Sequence, residues 1–313
     1  MTRSTSGVVS SRTEHAHAKI NLLLRILSRE VSGYHGIETL FQRVALHDVV
    51  TVRVGDMERS LRCDGPTMPH GGLGPAHENL AWRAAALYAR ESGWETGWEI
   101  GIDKRIPVGG GLGGGSADAA AVLRAMEALS PTKLGDDRLI ALGGTLGADV
   151  AFFVSGASLA WAWGRGDRLL ALPPLPSMPV LLVTFAEGVN TGAAYRALAA
   201  QREAAGVAPQ AHAFALSDFA TWPQIARIAM NDFEAVVRSL HEGVARVLPE
   251  LRVLAATGAP PGDDAASRPQ EPRLVEPRIA MMSGSGATCF LVAPDATSLR
   301  VSSDWQVTHT RTT

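Results

Sequence analysis

The chain has 313 residues, of which 46% are hydrophobic and 19% charged, and its formal net charge is −2. This length predicts two globular domains rather than one, and the charge argues against a general nucleic-acid binder, which would carry a basic balance or stripe. The two cysteines, Cys63 and Cys289, lack the spacing of metal ligands, and such sparse cysteines predict a reducing cytoplasmic location. The longest apolar run, 150–163, is too short to span a bilayer.

Strand-like and helix-like segments alternate along the chain. Residues 1–14 contain Ser and Thr but no apolar core, so we expect a loose tail rather than a secretory signal. Beyond this tail, period-two alternation and short apolar runs predict strands, and helical spacing of apolar residues predicts helices. The predicted strands are 16–27, 49–54, 98–103, 180–184 and 288–292, and the predicted helices are 79–91, 117–129, 193–204 and 232–247.

Two proline-rich stretches predict breaks in this pattern. Three prolines between Leu172 and Met178 predict a boundary, which gives an N-terminal domain at 1–172 and a C-terminal domain at 173–313. Five prolines with mixed charges and little apolar content predict a surface insertion at 257–277.

Six glycines and one leucine form the run 109–115, between the predicted strand 98–103 and the predicted helix 117–129. Each glycine loses more backbone entropy on folding than any other residue, so packing alone does not explain six of them. Ser116 is the predicted N-cap. A helix N-terminus carries unpaired N–H groups and partial positive charge, and glycines let the backbone wrap an anion. The run therefore predicts a phosphate-binding loop, which makes the N-terminal domain a nucleotide-binding one.

Three other interpretations of the glycine run fit less well. A ligand-free turn needs one or two glycines. A dinucleotide-binding loop is matched formally by Gly109, Gly111 and Gly114, but no strand-end acid follows about twenty residues later. A Walker loop needs Gly-Lys-Ser/Thr, whereas Gly115 is followed by Ser116 and Ala117, so a phosphate-binding lysine must come from elsewhere.

The glycine run and two further motifs, in order, resemble the GHMP small-molecule kinases. The segment 107–121 resembles their nucleotide-phosphate motif, 18–22 their first motif and 282–288 their third. The resemblance implies an α+β GHMP kinase fold, with an N-terminal ribosomal-protein-S5-like domain and a C-terminal ferredoxin-like domain. It also implies phosphoryl transfer from ATP with Mg²⁺, without assigning protein ligands to the metal.

The same resemblance implies the nucleotide-binding residues. Asn79 and Leu80 would lie near the adenine, and Lys104 would approach the phosphates unless it is a solvated strand-end lysine. The Ser116 hydroxyl could face phosphate or Mg²⁺. The remaining ATP-binding residues are those of the loop, namely Pro107, Val108, Gly109, Gly110, Gly111, Leu112, Gly113, Gly114, Gly115 and Ala117.

Lys19 and Asp149 are the catalytic residues that the resemblance implies. Asp149 would lie near the acceptor hydroxyl, as a base or as an orienting group. Lys19 heads the apolar run 20–24, where a buried lysine is costly unless an anion is close. The alternatives are a cap after Gly147 for Asp149 and an outward-facing strand position for Lys19.

Several further stretches are similar to the branch of the family that phosphorylates the 2-hydroxyl of a cytidine diphosphate-linked methylerythritol in isoprenoid synthesis. These stretches are 33–35, 38–42, 79–80, 102–105, 146–150 and 231–234. For this acceptor, Tyr34 and His35 on one side and Tyr195 on the other would sandwich the cytosine. Asn21 and Thr191 would bind polar groups of the acceptor.

Two alternatives to this function remain, namely a sibling kinase that acts on another small alcohol and a catalytically silent nucleotide-binding protein. Retention of both Lys19 and Asp149 favours a kinase, since a binding-only protein need keep neither. We expect no nucleic-acid or membrane partner, and the sequence does not predict an oligomeric state.

Overall fold

The computed structural model describes residues 9–29, 35–208, 212–257, 277–297 and 305–313. They form two compact units, each assembled from several segments of the chain. The first unit contains the described residues up to Ala18, together with 46–108 and 113–156. The second contains 19–45, 109–112 and the described residues from 157 onward.

The secondary structure mixes strands and helices throughout. The strands in the described ranges are β1 (Ser10–Arg29), β2 (His35–Gly55), β3 (Ser60–Asp64), β4 (Gly97–Asp103), β5 (Leu159–Gly164), β6 (Arg168–Leu172), β7 (Pro179–Thr184), β8 (Met230–Asn231), β9 (Ile279–Met282), β10 (Cys289–Val292) and β11 (Gln306–Arg311). The helices are α1 (Leu80–Ser92), α2 (Gly114–Leu129), α3 (Asp136–Leu146), α4 (Ala148–Ser155), α5 (Thr191–Ala205), α6 (Trp222–Ile228), α7 (Glu234–Leu240) and α8 (Glu242–Thr257). Short 3₁₀ helices occupy Ala76–Glu78 and Leu216–Phe219.

The first unit combines a sheet with four helices. Its strand order is β3-β4-β2-β1, with β4 antiparallel to β2 and parallel to β3. Trp98, Ile100 and Ile102 alternate along β4 and are buried, as a half-buried strand requires. Helix α1 packs on α2, and α4 packs on α2 and α3. This packing fixes the start of α2, which the glycine loop enters.

The second unit contains a four-stranded antiparallel sheet in the order β11-β7-β10-β9. Leu181, Val183 and Leu291 on this sheet share an apolar core with residues of α5, α7 and α8. In the same unit, β1 pairs in parallel with β8, and β2 pairs antiparallel with β5. The turn between β9 and β10 carries the third glycine motif.

Most predicted elements are confirmed, with four corrections. Strand β1 begins at Ser10 instead of 16, so residues 10–14 of the predicted tail belong to it. The predicted strand 49–54 is only the end of the long strand β2. The predicted helix 232–247 is wrong as one element, because extended backbone at His241 separates α7 from α8. Helix α2 begins at Gly114 rather than after Ser116, because Gly113 takes the N-cap position with left-handed backbone (φ 75°), which glycine adopts readily.

Two other expectations on chain organisation concern the boundary and the insertion. The compact units interleave along the chain, whereas the predicted boundary at 172/173 is a single cut. The predicted insertion 257–277 lies outside the described residues, except for Thr257, which ends α8, and Pro277.

Candidate active site

The N-terminus of α2 has no side-chain cap. Its N-cap is Gly113, and its first turn carries no acidic residue. By contrast, the side chains of Asn79 and Asn190 cap α1 and α5 by accepting from backbone N–H groups. The first N–H bonded within the helix is that of Ala117, to Gly113 O at 2.9 Å. The preceding N–H groups therefore present the positive end of a 16-residue helix to an anion.

Carbonyl groups of the loop before α2 accept hydrogen bonds from the third glycine motif. Thr288 N donates to Gly110 O at 3.2 Å, and Ser283 Oγ donates to Gly111 O at 3.0 Å. Gly111 has a φ of +78°, and a Cβ added to it would lie 2.5 Å from Ser283 O. Position 111 therefore requires glycine for its conformation and for this close approach.

Gly111→Ala is expected to lower the free energy of unfolding by more than the ~1–2 kcal/mol that left-handed backbone alone costs an alanine. The added clash with the Ser283 carbonyl accounts for the excess. Gly144→Ala is the matched control, since Gly144 lies within α3 with open space around its Cβ position. It should raise stability by about 0.5–1 kcal/mol. Urea unfolding measures both, and equal effects would contradict the close approach.

Lys19 is buried at 3% exposure on β1, so the outward-facing alternative is wrong. Its Nζ donates to Asn21 Oδ1 at 2.8 Å and to Gly111 O at 2.9 Å. The amine also lies 5.6 Å from the centroid of the Phe41 ring, within cation–π range. The Lys19 amine thus contacts two other sequence-predicted residues, Asn21 and Gly111.

Asn21 is held in place by its own partners. Its Nδ2 donates to Thr39 Oγ1 at 2.8 Å, and Thr39 in turn donates to Leu23 O at 2.7 Å. The orientation of the amide is therefore determined, with Oδ1 facing Lys19. The Asn21 amide oxygen and the Gly111 carbonyl, which are neutral groups, both accept hydrogen bonds from Lys19.

Lys104 does not face solvent at the end of β4. It is buried with Asp48 and Asp118, at 2% exposure, and its Nζ bonds to Asp48 Oδ2 and to Asp118 Oδ2, the latter at 2.6 Å. Asp48 Oδ1 also accepts from the backbone N–H groups of Arg105 and Ile106, at 2.5 and 2.7 Å. This cluster ties the strand end before the glycine loop to the helix that follows it.

In this cluster of two carboxylates and one ammonium group, the pKa values of Asp118 and Lys104 are both shifted. The pKa of Asp118 is raised to about 7, chiefly by burial, with Lys104 opposing the rise and the nearby Asp48 adding to it. Burial alone would lower the pKa of Lys104, but the two carboxylates outweigh burial and raise it. Asp118 Oδ1 is buried without a hydrogen-bond partner, which disfavours its charged form.

Asp118→Asn is expected to flatten the pH dependence of stability. An aspartate in an unfolded chain has a pKa of about 3.9, so between about 4 and about 7 the folded wild type retains a proton that the unfolded chain has lost. The free energy of unfolding should therefore fall as pH rises through this range. Urea unfolding at pH 5 and pH 8 measures the slope.

The control for this change is Asp137→Asn, which removes an exposed acid at the start of α3. It should leave the wild-type slope in place. Identical slopes for the wild type and Asp118→Asn would show that Asp118 does not titrate in this range.

Asn79 and Leu80 lie at the start of α1 in the first unit. Asn79 Oδ1 accepts from Ala81 N at 2.9 Å, and its Nδ2 lies 4.0 Å from Cys63 Sγ. Burial raises the pKa of Cys63 to about 11, so this thiol is protonated near neutral pH. Both Asn79 and Leu80 are partly exposed and available to a ligand.

Asp149 occupies the first turn of α4, two residues after Gly147, which is the N-cap. The structure therefore gives the capping position to Gly147 and leaves the Asp149 carboxylate half-buried beside a helix N-terminus. A carboxylate is favoured there by the helix dipole. Among the other predicted ATP-binding residues of the first unit, Pro107 and Ser116 are partly exposed, Val108 is exposed and Ala117 is buried.

The predicted acceptor residues of the second unit include a stacked pair. The rings of His35 and Tyr195 lie 4.7 Å apart at 22°, and the Phe233 ring meets Tyr195 edge-on at 4.9 Å. A base does not fit between rings at this separation, so His35 and Tyr195 do not form the two sides of a sandwich in this structure. Tyr34 lies outside the described residues. Thr191 is exposed and shares a 2.8 Å hydrogen bond with Ser285 of the third motif.

Within the described ranges, no group of three or more His, Cys, Asp or Glu side chains could hold a metal ion. No helix in those ranges combines the length and apolar character of a membrane crossing.

Sequence reasoning missed two parts of the site. One is Asp48, for which the sequence offers a single indication, namely an acidic residue just before the alternating buried residues at the end of β2. The other is the segment 231–234, which the resemblance includes without a role, and which contacts the third motif. Neither contact can be read from local spacing, because each joins residues more than 40 positions apart.

The comparisons with known proteins agree with this arrangement. The family model for the GHMP kinases N terminal domain matches residues 79–157. The 4-diphosphocytidyl-2-C-methyl-D-erythritol kinase of Moorella thermoacetica is 36% identical over 300 residues, which cover 95% of both chains. That of Parvibaculum lavamentivorans is 34% identical over 280 residues, 89% of this chain and 87% of its own.

Solved structures extend the likeness to the fold. A crystal structure of 4-(cytidine 5'-diphospho)-2C-methyl-D-erythritol kinase superposes with a TM-score of 0.70 at 30% identity, over 96% of this chain and 99% of its own. A mevalonate kinase shares the fold, with a TM-score of 0.60 at 11% identity. The predicted α+β GHMP kinase fold is confirmed. The chain belongs to the GHMP kinases, within the family of 4-diphosphocytidyl-2-C-methyl-D-erythritol kinases.

Proposed function

We propose that this chain transfers the γ-phosphoryl group of ATP to the 2-hydroxyl of 4-diphosphocytidyl-2-C-methyl-D-erythritol. The products are the 2-phosphate and ADP, in the non-mevalonate route to isoprenoid precursors. One observation carries the proposal beyond family membership, namely that the buried amine of Lys19 is bonded to a carbonyl of the glycine loop. A cation fixed on the loop is what phosphoryl transfer needs to offset developing charge.

The loop and the uncapped start of α2 would hold the triphosphate. Backbone N–H groups there lack partners within the helix, and the glycines leave space for phosphate oxygens. Lys104 would serve this site indirectly, because its amine is already bonded to two buried carboxylates. A Cβ on Gly114 would lie 3.5 Å from Lys104 Nζ, so the cluster supports the first residue of α2.

Lys19 and Asp149 are proposed as the catalytic pair. Lys19 would stabilise the negative charge that develops on the transferred phosphoryl group. Asp149 would accept a hydrogen bond or the proton from the 2-hydroxyl of the acceptor. Gly147, rather than Asp149, is the N-cap of α4, so this carboxylate is not the capping group of its helix.

The acceptor would bind beside Lys19 through Asn21 and Thr191, with Tyr34, His35 and Tyr195 near the cytosine. The stacked pair of His35 and Tyr195 supports an aromatic platform, although the base would have to occupy an outer ring face or separate the two rings. Mg²⁺ would enter with ATP and neutralise phosphate charge when bound. The Ser116 hydroxyl, in the first turn of α2, would be its nearest protein ligand.

We also propose a cytoplasmic location. Cys63 and Cys289 are both free thiols, which fits a reducing compartment. A small phosphorylated metabolite is the proposed partner.

A coupled assay of ADP release tests the function. Purified protein with Mg-ATP is given 4-diphosphocytidyl-2-C-methyl-D-erythritol, mevalonate or homoserine at equal concentrations. We expect acceptor-dependent ADP release with the cytidyl substrate only. Turnover with mevalonate or homoserine instead would assign the chain to a sibling activity, and no acceptor-dependent release at all would favour a nucleotide-binding protein.

A further inference from the structure

We propose that Asn231 is a positioning residue for the phosphoryl transfer. It would act by fixing the turn 282–284, whose Ser283 hydroxyl bonds to Gly111 O, the carbonyl that also accepts from Lys19. This inference rests on the proposed function and adds a role for the segment 231–234. All the contacts that carry it lie within the second unit.

The Asn231 amide directs its hydrogen bonds to backbone groups. Its Nδ2 donates to Met282 O and to Gly284 O, each at 2.8 Å, so one NH₂ group spans Ser283 from both sides. Its Oδ1 accepts from Phe233 N at 2.9 Å. The side chain is buried at 7% exposure. A buried amide with each group paired fixes a single backbone conformation at its partners.

Ser283 transmits this constraint to the catalytic lysine. It is fully buried, and its Oγ lies 3.0 Å from Gly111 O and 3.4 Å from Asn21 Oδ1. Lys19 Nζ bonds to these same two oxygens, at 2.9 and 2.8 Å. A displaced turn would therefore move both acceptors of the lysine. Misplacement of a catalytic group by about 1 Å can lower a rate by about 100-fold.

Two neighbours of Asn231 hold the turn 282–284 and strand β1. Glu234 Oε1 accepts from Met282 N at 2.9 Å, which holds the residue at which the turn begins. Asp232 Oδ2 accepts from Ile26 N at 2.7 Å, on the strand that carries Lys19. The segment thus joins the third glycine motif to β1, and Asn231 makes the contacts nearest Ser283.

Asn231→Asp is the sharpest test, because aspartate has the same shape but replaces two donors with an oxygen that faces two carbonyls. We expect kcat to fall about 10- to 100-fold, while the KM for ATP changes less than about threefold. Leu254→Ala is the matched control, since it opens a cavity in the same core without touching the motif. It should lower the melting temperature at least as much and leave kcat unchanged.

A double-mutant cycle with Ser283→Ala adds a second measurement, the non-additivity of the losses in kcat, which a purely structural role of Asn231 would not produce. If Asn231 acts through Ser283, the losses in kcat will be strongly non-additive. Should Asn231→Asp fail to fold, Asn231→Ala carries the same test without the charge. Unchanged kcat or additive losses would overturn the inference. Wild-type protein with no turnover of the cytidyl substrate would instead refute the proposed function on which it rests.

Discussion

Lys19→Met is expected to lower kcat by about 100- to 1,000-fold, the range for loss of one preorganised charge at a transition state. Methionine keeps an unbranched apolar stem that can still pack on Phe41, so the fold should persist. The lost interactions are those of the amine with Asn21 Oδ1 and Gly111 O. Steady-state kinetics with Mg-ATP and the cytidyl substrate measures the change.

Lys133→Met provides the control for the loss of a lysine. Lys133 is exposed, and its amine bonds to the carbonyls of Glu127 and Ala128 at the end of α2, away from the glycine loop. Its kcat should stay near that of the wild type. A Lys19→Met variant with the same kcat as this control would remove Lys19 from the mechanism.

Asp149→Asn is expected to lower kcat by about 100- to 10,000-fold, the contribution typical of a positioned acid or base. The KM for ATP should change little, because the proposed interactions of Asp149 are with the acceptor hydroxyl. Asparagine keeps the shape and polarity of a first-turn residue of α4, so helix formation should not suffer.

Asp137→Asn, at the exposed start of α3, is the charge-matched control for this change. Isothermal titration calorimetry with ATP measures the nucleotide affinity of both variants. Full turnover in Asp149→Asn would eliminate its catalytic role, and a large loss of ATP affinity would move Asp149 to the nucleotide side.

Local periodicity predicted the elements that depend on local contacts. Alternation along 98–103 predicted β4 to within one residue, because each second side chain is buried on the same side. Helix α2 ends at Leu129 as expected. The start of α2 was misplaced because the N-cap rule favours a polar side chain at Ser116, whereas Gly113 supplies the required backbone conformation instead.

Long strands and interrupted helices were harder to predict, because tertiary contacts determine them. Strand β2 runs for 21 residues and pairs with β5 near its start and β4 near its end, so no single alternation covers it. Apolar spacing continues from α7 into α8, and only the extended backbone of His241 separates them.

The candidate site likewise combines residues that local sequence predicts with residues that only tertiary contacts bring together. Glycine content alone indicated the phosphate loop, since backbone freedom is a property of the residues themselves. The partners of Lys104 were not predictable, because Asp48 lies 56 positions away and meets it only through β-sheet pairing. The same holds for Asn231, whose carbonyl partners lie 51 and 53 positions later.

The identity of the phosphorylated product tests the central claim most directly. Protein is incubated with Mg-ATP and 4-diphosphocytidyl-2-C-methyl-D-erythritol labelled with ¹³C at carbon 2, and the product is examined by ³¹P and ¹³C NMR. The account predicts one new phosphomonoester resonance coupled to the labelled carbon, an intact diphosphate bridge and one ADP for each product molecule. A phosphate on another hydroxyl, or ADP formed without a phosphorylated acceptor, would contradict it.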